Sequence, residues 1–260
     1  MIQKLKKFFY FPIAHYFRFF AKIQLFIWKP RIIVITGSSG KTTLLYLLES
    51  QIGNSAEYSH QANSSFGIPF DILGLKRKTL TFDEWPYLFF LAPIKAFQKI
   101  HSKDLYIVEA DCDRVGEGKF LATLLKPEVT VWLSSSRTHS MNFPKPVEKS
   151  IAKEFGYFLE YASKKVIVNG NSNLIKEQLL RTQAEVETIT KTGHLDKYQL
   201  TRNGTEFKID GKIHKFKYPL PKETFYQIMA TFKILKYLDI PLGDSFSKFQ
   251  LPPGRSSILK

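Results

Sequence analysis

One short stretch near the amino terminus constrains the fold of this chain more than any other. Residues 32–35 are apolar and β-branched, and the small-residue turn Thr36-Gly37-Ser38-Ser39-Gly40-Lys41-Thr42-Thr43 follows them before a helical apolar pattern begins. A buried strand, a glycine-containing loop and a helix in this order gather backbone N–H groups and a helix N-terminus around a phosphate. We therefore expect Lys41 to reach the terminal phosphates of a nucleoside triphosphate and Thr42 to place its hydroxyl on Mg²⁺.

The glycine spacing of this turn departs from the general phosphate-loop pattern. That pattern has a glycine at the position where Ile35 stands, so the form here is the shorter Thr-Gly-x-x-Gly-Lys-Thr. A chance Gly-Lys-Thr in a basic chain is the alternative. The strand before the turn and the helix after it favour the phosphate loop.

Composition limits the remaining classes of function. The chain has 260 residues, 44% of them hydrophobic, and a formal net charge of +15. Its single cysteine, Cys112, excludes an internal disulfide framework and fits a reducing compartment, and no cleavable signal pattern is present. The lysines are spread along the chain without a zinc-finger or RNA-binding signature, so phosphates and lipid head groups are favoured over nucleic acid.

Residues 1–29 form a basic, aromatic segment of their own. No apolar run there is long enough to span a bilayer. The pattern fits a helix at a membrane surface as well as a helix packed against the body of the protein, and Pro12 is expected to restrict any helix to the residues after it. A second apolar stretch, residues 85–93, fits either the core or a surface docking patch.

The body of the chain, residues 30–250, alternates between short apolar strands and helical patterns. Strands are predicted at 31–36, 105–110, 129–133 and 166–169, with helices at 42–52, 117–125, 147–162 and 171–182. This alternation predicts an α/β fold with a mostly parallel sheet flanked by helices, of the phosphate-loop type. In such sheets ligands gather at the carboxyl ends of the strands, where the loop at 37–43, residues 109–113 and residues 134–139 are expected to meet.

The pattern changes after about residue 184. Short strand-like segments at 186–189, 198–201, 206–209 and 213–216, with turn signals at Asn203-Gly204 and Asp210-Gly211, predict a small antiparallel meander near residues 185–218. A helix is predicted at 223–238. Residues 251–260 are expected to form a linker.

Five segments in order resemble the central ATP-binding domain of the Mur ligase family. They are the turn at 36–43; Asn63-Ser64-Ser65-Phe66-Gly67-Ile68-Pro69; Tyr106-Ile107-Val108-Glu109; Lys126-Pro127-Glu128-Val129-Thr130-Val131 with Thr138-His139 beyond it; and Pro252-Pro253-Gly254-Arg255. The resemblance covers residues 30–260. It is nearest to the branch that joins D-alanyl-D-alanine to UDP-N-acetylmuramoyl-tripeptide in peptidoglycan precursor synthesis.

The resemblance implies a cytoplasmic ligase that uses ATP to convert a carboxylate into an acyl phosphate, which an amine then attacks to form an amide. It implies catalytic roles for Lys41, Glu109 and His139, nucleotide contacts from the turn at 37–43, from Asn63 and from Arg255, and Mg²⁺ ligands at Thr42, Glu109 and His139. From the residues alone, Glu109 also fits a solvated carboxylate, His139 an ordinary histidine and Arg255 a tail charge. Asp111 and Asp113 are alternative ligands.

Three departures from the family pattern leave a second class of function open. Phe155 stands where family members commonly carry a carbamylated lysine, although the neighbouring Glu154 offers a carboxylate. Residues 223–227 stand where the family has a His-Asn-x-x-Asn helix start. The third departure is that the sequence reaches residue 260 where the family's C-terminal domain is expected to begin. The alternative to a ligase is therefore a non-catalytic or split-subunit nucleotide-binding module that docks on a membrane or a partner. A plain phosphate-loop ATPase or kinase is a weaker third possibility.

Overall fold

The computed structural model describes residues 2–60, 62–77, 83–136, 140–243 and 246–251, without the side chains of residues 2–8 and 140. Its centre is a parallel sheet with strand order β2-β3-β1-β4-β5-β6. The strands are β1 (Arg31–Thr36), β2 (Glu57–Tyr58), β3 (Leu105–Glu109), β4 (Val129–Trp132), β5 (Lys165–Asn169) and β6 (Glu185–Ile189). Since each described pairing is parallel, the carboxyl ends of all these strands lie at one edge.

Helices and a second sheet cover the two faces of the parallel sheet. The helices are α1 (Ile2–Trp28), α2 (Lys41–Ile52), α3 (Gly67–Ile72), α4 (Glu84–Ala96), α5 (Glu117–Leu125), α6 (Val147–Glu160), α7 (Asn173–Gln178) and α8 (Thr224–Tyr237). One apolar core joins the sheet to α1 and α3–α7. The other core joins it to α2, α8 and the antiparallel sheet β7 (Leu195–Thr201), β8 (Gly204–Ile209) and β9 (Lys212–Phe216).

The predicted fold class is confirmed, but one strand belongs to a different sheet. We predicted residues 186–189 as part of the antiparallel meander, whereas β6 pairs in parallel with β5 and forms the edge of the main sheet. The polar alternation that suggested a meander arises because an edge strand is half exposed. Its carboxylates are held by lysines: the Lys165 ammonium lies 3.1 Å from Glu185 and 3.2 Å from Glu187.

The prediction that Pro12 limits the N-terminal helix is wrong. Helix α1 runs through Pro12, which lies on the exposed side. Proline removes one N–H donor, but its fixed φ is helical, and packing of the opposite face offsets the lost hydrogen bond. Ala14, Phe17 and Ala21 of that face are fully buried, so the packed arrangement expected as one alternative for this segment is present. None of the described helices is long and apolar enough to cross a bilayer.

Candidate phosphate-binding site

The turn between β1 and α2 is shaped by two glycines with left-handed backbone conformations. Gly40 (φ 79°) is the N-cap of α2, and a Cβ atom there would lie 2.0 Å from the side-chain amide of Gln227. Gly37 (φ 117°) has no room either, because its Cβ would lie 2.6 Å from the Ser134 carbonyl oxygen. The left-handed backbone favours glycine at both positions, and the close backbone of Ser134 excludes a side chain at Gly37 as well.

Serines after β4 hold this turn in place. Ser134 accepts from the Ser38 N–H through its carbonyl oxygen at 3.1 Å, and its hydroxyl accepts from the Ser39 N–H at 2.8 Å. The same hydroxyl donates to the Ser39 carbonyl oxygen at 2.8 Å. The Ser136 N–H donates to the Ser38 hydroxyl, also at 2.8 Å. Since β4 adjoins β1, these contacts fix the turn at the carboxyl edge of the sheet.

Lys41 is nearly buried and points into this edge. Its ammonium donates to the Gly37 carbonyl oxygen at 2.5 Å and lies 2.9 Å from the Asp111 carboxylate. The Asp111 N–H in turn donates to the Asn63 carbonyl oxygen at 2.8 Å, which brings the 63–69 segment beside the turn. The structure therefore joins Lys41, Asp111 and Asn63 at one point, although they are far apart in sequence.

Thr42 faces the end of the neighbouring strand β3. Its hydroxyl donates to the Glu109 carboxylate at 3.1 Å, and the Glu109 N–H donates to the Ser59 hydroxyl at 2.8 Å. This juxtaposition follows from register, because Ile35 pairs with Glu109 across β1 and β3. Glu109 is only 8% exposed, so it is not the solvated carboxylate that the sequence left as an alternative.

Helix α8 approaches the turn from the opposite core. The Gln227 amide nitrogen donates to the Glu223 carbonyl oxygen at 2.8 Å. In this orientation the amide oxygen of Gln227 faces Gly40. Gln227 is nearly buried. The helix start that differs from the family pattern at 223–227 therefore still contacts the phosphate turn.

The acidic residues beyond β3 have structural partners. Glu154, which we considered as a substitute for the missing lysine, accepts from the Gly118 N–H at 2.8 Å, while Phe155 is fully buried with its ring 5.7 Å from that of Trp132. Glu117 accepts from the Tyr10 hydroxyl at 2.6 Å and from the Ser65 hydroxyl at 2.9 Å. Burial raises the pKa of the Cys112 thiol, and the nearby carboxylates add to the rise, so Cys112 stays protonated.

Most of the predicted site residues meet at this edge. Gly37, Ser38, Ser39 and Gly40 form the turn, and Lys41, Thr42 and Thr43 form the first turn of α2, beside Asn63 and Glu109. His139 and Arg255 lie outside the described residues. The sequence did not reveal that Asp111 pairs with Lys41, nor the supporting roles of Ser59 and Ser134, since single serines and aspartates carry no periodic signal.

The chain belongs to the Mur ligase family through its middle domain, because the family model described as the Mur ligase middle domain matches residues 35–230. No curated protein sequence matches the chain. Solved structures share the fold. MurF from Acinetobacter baumannii superposes with a TM-score of 0.72 at 16% identity, over 93% of this chain and 51% of that one.

Two further structures extend this similarity. MurF ligase from Thermotoga maritima, solved in complex with ADP, has a TM-score of 0.68 at 16% identity, over 88% of this chain and 50% of that chain. An FPGS–AMPPCP complex has a TM-score of 0.57 at 13% identity, over 87% of this chain and 64% of that chain. The chain thus spans about half the length of the MurF structures.

Proposed function

We propose that this chain is the ATP-binding portion of an ATP-dependent amide ligase of peptidoglycan precursor synthesis. The observation that carries the proposal is the pairing of Lys41 with Asp111 and of Thr42 with Glu109 at one sheet edge, at 2.9 and 3.1 Å. Membership in the Mur ligase family supports a ligase, and MurF and FPGS structures with ADP and AMPPCP support a nucleotide in this fold.

The phosphates of ATP bind at the turn between β1 and α2. The first N–H groups of α2 have no acceptors within the helix, and the positive end of the helix dipole lies at the same point. Lys41 adds a full charge in a setting with little water, where its attraction to phosphate is stronger than at an open surface. In this proposal Asn63 and Arg255 are further nucleotide contacts, as the family resemblance implies.

Oxygen donors suited to Mg²⁺ are present at the same edge. The Thr42 hydroxyl and the Glu109 carboxylate lie 3.1 Å apart, and Mg²⁺ is commonly held by one or two carboxylates together with substrate phosphates and water. Among the described side chains no group of three His, Cys, Asp or Glu residues is arranged for a metal. Thr42 and Glu109, with His139, would hold the ion, which neutralises phosphate charge when bound.

The reaction needs charge stabilisation and positioning more than a protein nucleophile. A carboxylate oxygen of the substrate attacks the γ-phosphorus, the bond to the ADP oxygen breaks, and an acyl phosphate forms. An amine then attacks the acyl carbon, phosphate leaves, and the amine gives up a proton. Lys41 stabilises the negative charge that moves onto the phosphate oxygens, and the buried Cys112, kept protonated, takes no covalent part.

The substrates that this proposal assigns are a UDP-muramoyl peptide as the carboxylate donor and a dipeptide such as D-alanyl-D-alanine as the amine, both in the cytoplasm. A separate C-terminal ligase domain is a further partner. Phe155 is buried at the position where the family commonly has a carbamylated lysine. This favours one alternative, a nucleotide-binding module that acts as a split subunit or without catalysis.

A reaction with the full chain separates these proposals. The chain is incubated with ATP, Mg²⁺, UDP-N-acetylmuramoyl-tripeptide and D-alanyl-D-alanine, with and without a separately expressed C-terminal Mur ligase domain, and the amide product is measured by mass spectrometry. Product that disappears in Lys41→Ala and persists in Lys212→Ala supports the ligase. ATP binding without product in either mixture supports the non-catalytic module, and product only with the added domain supports the split subunit. If Lys41→Ala still binds ATP as the control Lys212→Ala does, the assignment of the phosphate-binding site is wrong.

A further inference from the structure

Helix α1 has two apolar faces, one packed on the core and the other only partly covered. Ala14, Phe17, Ala21, Gln24 and Trp28 recur every three or four residues and pack on the core. A second stripe with the same spacing, at positions 9, 12, 16, 19, 23 and 26, lies on the other side of the helix. Phe19 and Phe26 in this stripe are 61% and 76% exposed. A surface helix ordinarily places polar residues there.

Helix α4 repeats this arrangement beside α1. Leu88, Ala92 and Ala96 are buried, while Phe90 and, just past the helix end, Phe97 are 70% and 68% exposed. The two helices touch, since the Tyr16 hydroxyl donates to the Phe89 carbonyl oxygen at 2.7 Å. The Phe89 ring also lies 4.8 Å from the Tyr16 ring and 5.1 Å from the Phe17 ring, so the two helices lie side by side on the core. We call their outer surface the aromatic face; its exposed members are Phe9, Phe19, Phe26, Ile27, Tyr87, Phe90, Ile94 and Phe97.

The aromatic face concentrates a residue type that the rest of the described surface lacks. Among the side chains that the structure describes, every exposed phenylalanine is on this face. Five phenylalanines so exposed, four on two adjoining helices and Phe97 just past the end of α4, exceed the scattered apolar residues of an ordinary surface.

The charge around this face is positive. The sequence has no Asp or Glu before Glu49, and α1 carries five basic residues: Lys4, Lys6, Lys7, Arg18 and Lys22. Exposed Lys22, Lys29 and Lys99 border the face, and the Lys29 ammonium lies 5.7 Å from the centre of the Phe26 ring. Of the two acidic residues near the start of α4, Glu84 lies 3.6 Å from Arg77.

We propose that the aromatic face docks on the surface of an anionic lipid bilayer, with α1 and α4 lying parallel to it. Aromatic rings favour the boundary between head groups and acyl chains, and lysines beside them favour anionic head groups. A second copy of the chain is a poorer occupant, because two such faces would bring like charges together. The aromatic face includes none of the residues that shape the phosphate turn, so the proposal can be tested independently of the ligase function.

The test measures binding of the full chain to vesicles. Phosphatidylcholine vesicles are compared with vesicles of phosphatidylcholine and phosphatidylglycerol in equal parts, by flotation, at low and high salt. The variants are Phe19→Ser with Phe26→Ser on α1, and Phe90→Ser with Phe97→Ser on α4. The matched control is Leu180→Ser with Leu200→Ser, which alters two exposed leucines elsewhere. Because all six side chains are exposed, the substitutions leave the core intact.

We expect the anionic vesicles to bind the chain more tightly than the neutral ones, and salt to weaken that binding. Each double variant should bind roughly tenfold or more weakly, and the control should bind as the parent chain does. Equal binding of the aromatic variants and the control overturns the proposal, as does binding that is the same for both lipid mixtures. A dimer in solution, dissociated by the aromatic variants while vesicles do not bind, would assign the face to a second copy instead.

Discussion

Replacing Asp111 by asparagine should tighten ATP binding, although Asp111 belongs to the site. The Asp111 carboxylate lies 2.9 Å from the Lys41 ammonium, and both side chains are mostly shielded from water. A phosphate bound by Lys41 would come within a few ångströms of this carboxylate. Asparagine keeps the size and an oxygen acceptor for Lys41, but it removes the negative charge.

The expected size of the effect follows from the charges. At a separation of about 6 Å and an effective dielectric constant near 20, two unit charges interact by about 3 kcal/mol. Screening and the partial exposure of the site reduce this, so we expect a gain of about 1–2 kcal/mol, or roughly tenfold in affinity for ATP without Mg²⁺. Since Mg²⁺ neutralises half of the charge on ATP, the gain should be smaller for the magnesium complex.

Isothermal titration calorimetry of ATP, with and without Mg²⁺, measures both affinities. Asp104→Asn is the matched control, because it removes the same charge from an exposed position just before β3, at the opposite edge of the sheet. Lys41→Ala is the companion variant and should lose roughly a hundredfold or more, as expected when one partner of a buried charged contact is removed. Thermal unfolding of each variant checks that the fold persists.

Two results would refute this reasoning. Weaker binding of magnesium-free ATP by Asp111→Asn would mean that the carboxylate serves mainly to orient Lys41. Weaker binding of the magnesium complex, in place of the smaller gain expected for it, would make Asp111 a magnesium ligand, the alternative that the sequence left open.

Three further predictions follow from single contacts. Thr42→Val removes the hydroxyl that bonds Glu109, so Mg²⁺ should enhance ATP affinity far less than in the parent chain, and an unchanged enhancement in calorimetry would exclude Thr42 as a ligand. Gly118→Ala places a Cβ 2.1 Å from the Glu154 carbonyl oxygen and should lower the free energy of unfolding by about 1–3 kcal/mol in urea titration. Hydrogen bonds from Arg31 and Tyr237 lower the pKa of the Glu128 carboxyl. The ionised carboxylate therefore stabilises the fold above the unfolded-state pKa, and this stabilisation is lost as pH falls through the folded-state pKa. Glu128→Gln should therefore lower the free energy of unfolding by about 0.5–1 kcal/mol at neutral pH and leave it unchanged in acid. A loss of stability that persists in acid would contradict this assignment.

The predictions that succeeded rest on short-range signals. The strand-loop-helix at 31–52 is recognisable because β-branched residues, glycines and an apolar helical pattern follow one another directly. Parallel alternation then places Glu109 near Thr42, since strands that run the same way end at the same edge. Such inferences need only the order of the elements.

The predictions that failed concern segments where the local sequence pattern and the tertiary packing favour different structures. Residues 186–189 have the polarity of a meander strand because they lie at the edge of the sheet, while each pairs with the β5 residue twenty positions earlier in the chain. Pro12 disfavours a helix locally, but burial of Phe17 and its neighbours outweighs that penalty. The sequence of α4 shows no clear helical periodicity, because the helix is apolar on both its inner and its outer side.

The sequence by itself determined the class of fold, the phosphate turn and most residues at the sheet edge, since these depend on local propensity and on element order. Only the tertiary structure decided that Asp111 pairs with Lys41, that Ser134 holds the turn, that Glu154 caps α5 and that the adjoining helices α1 and α4 both expose phenylalanines. These features join residues distant in the chain, and their partners are fixed by packing geometry, on which a one-dimensional pattern carries no information.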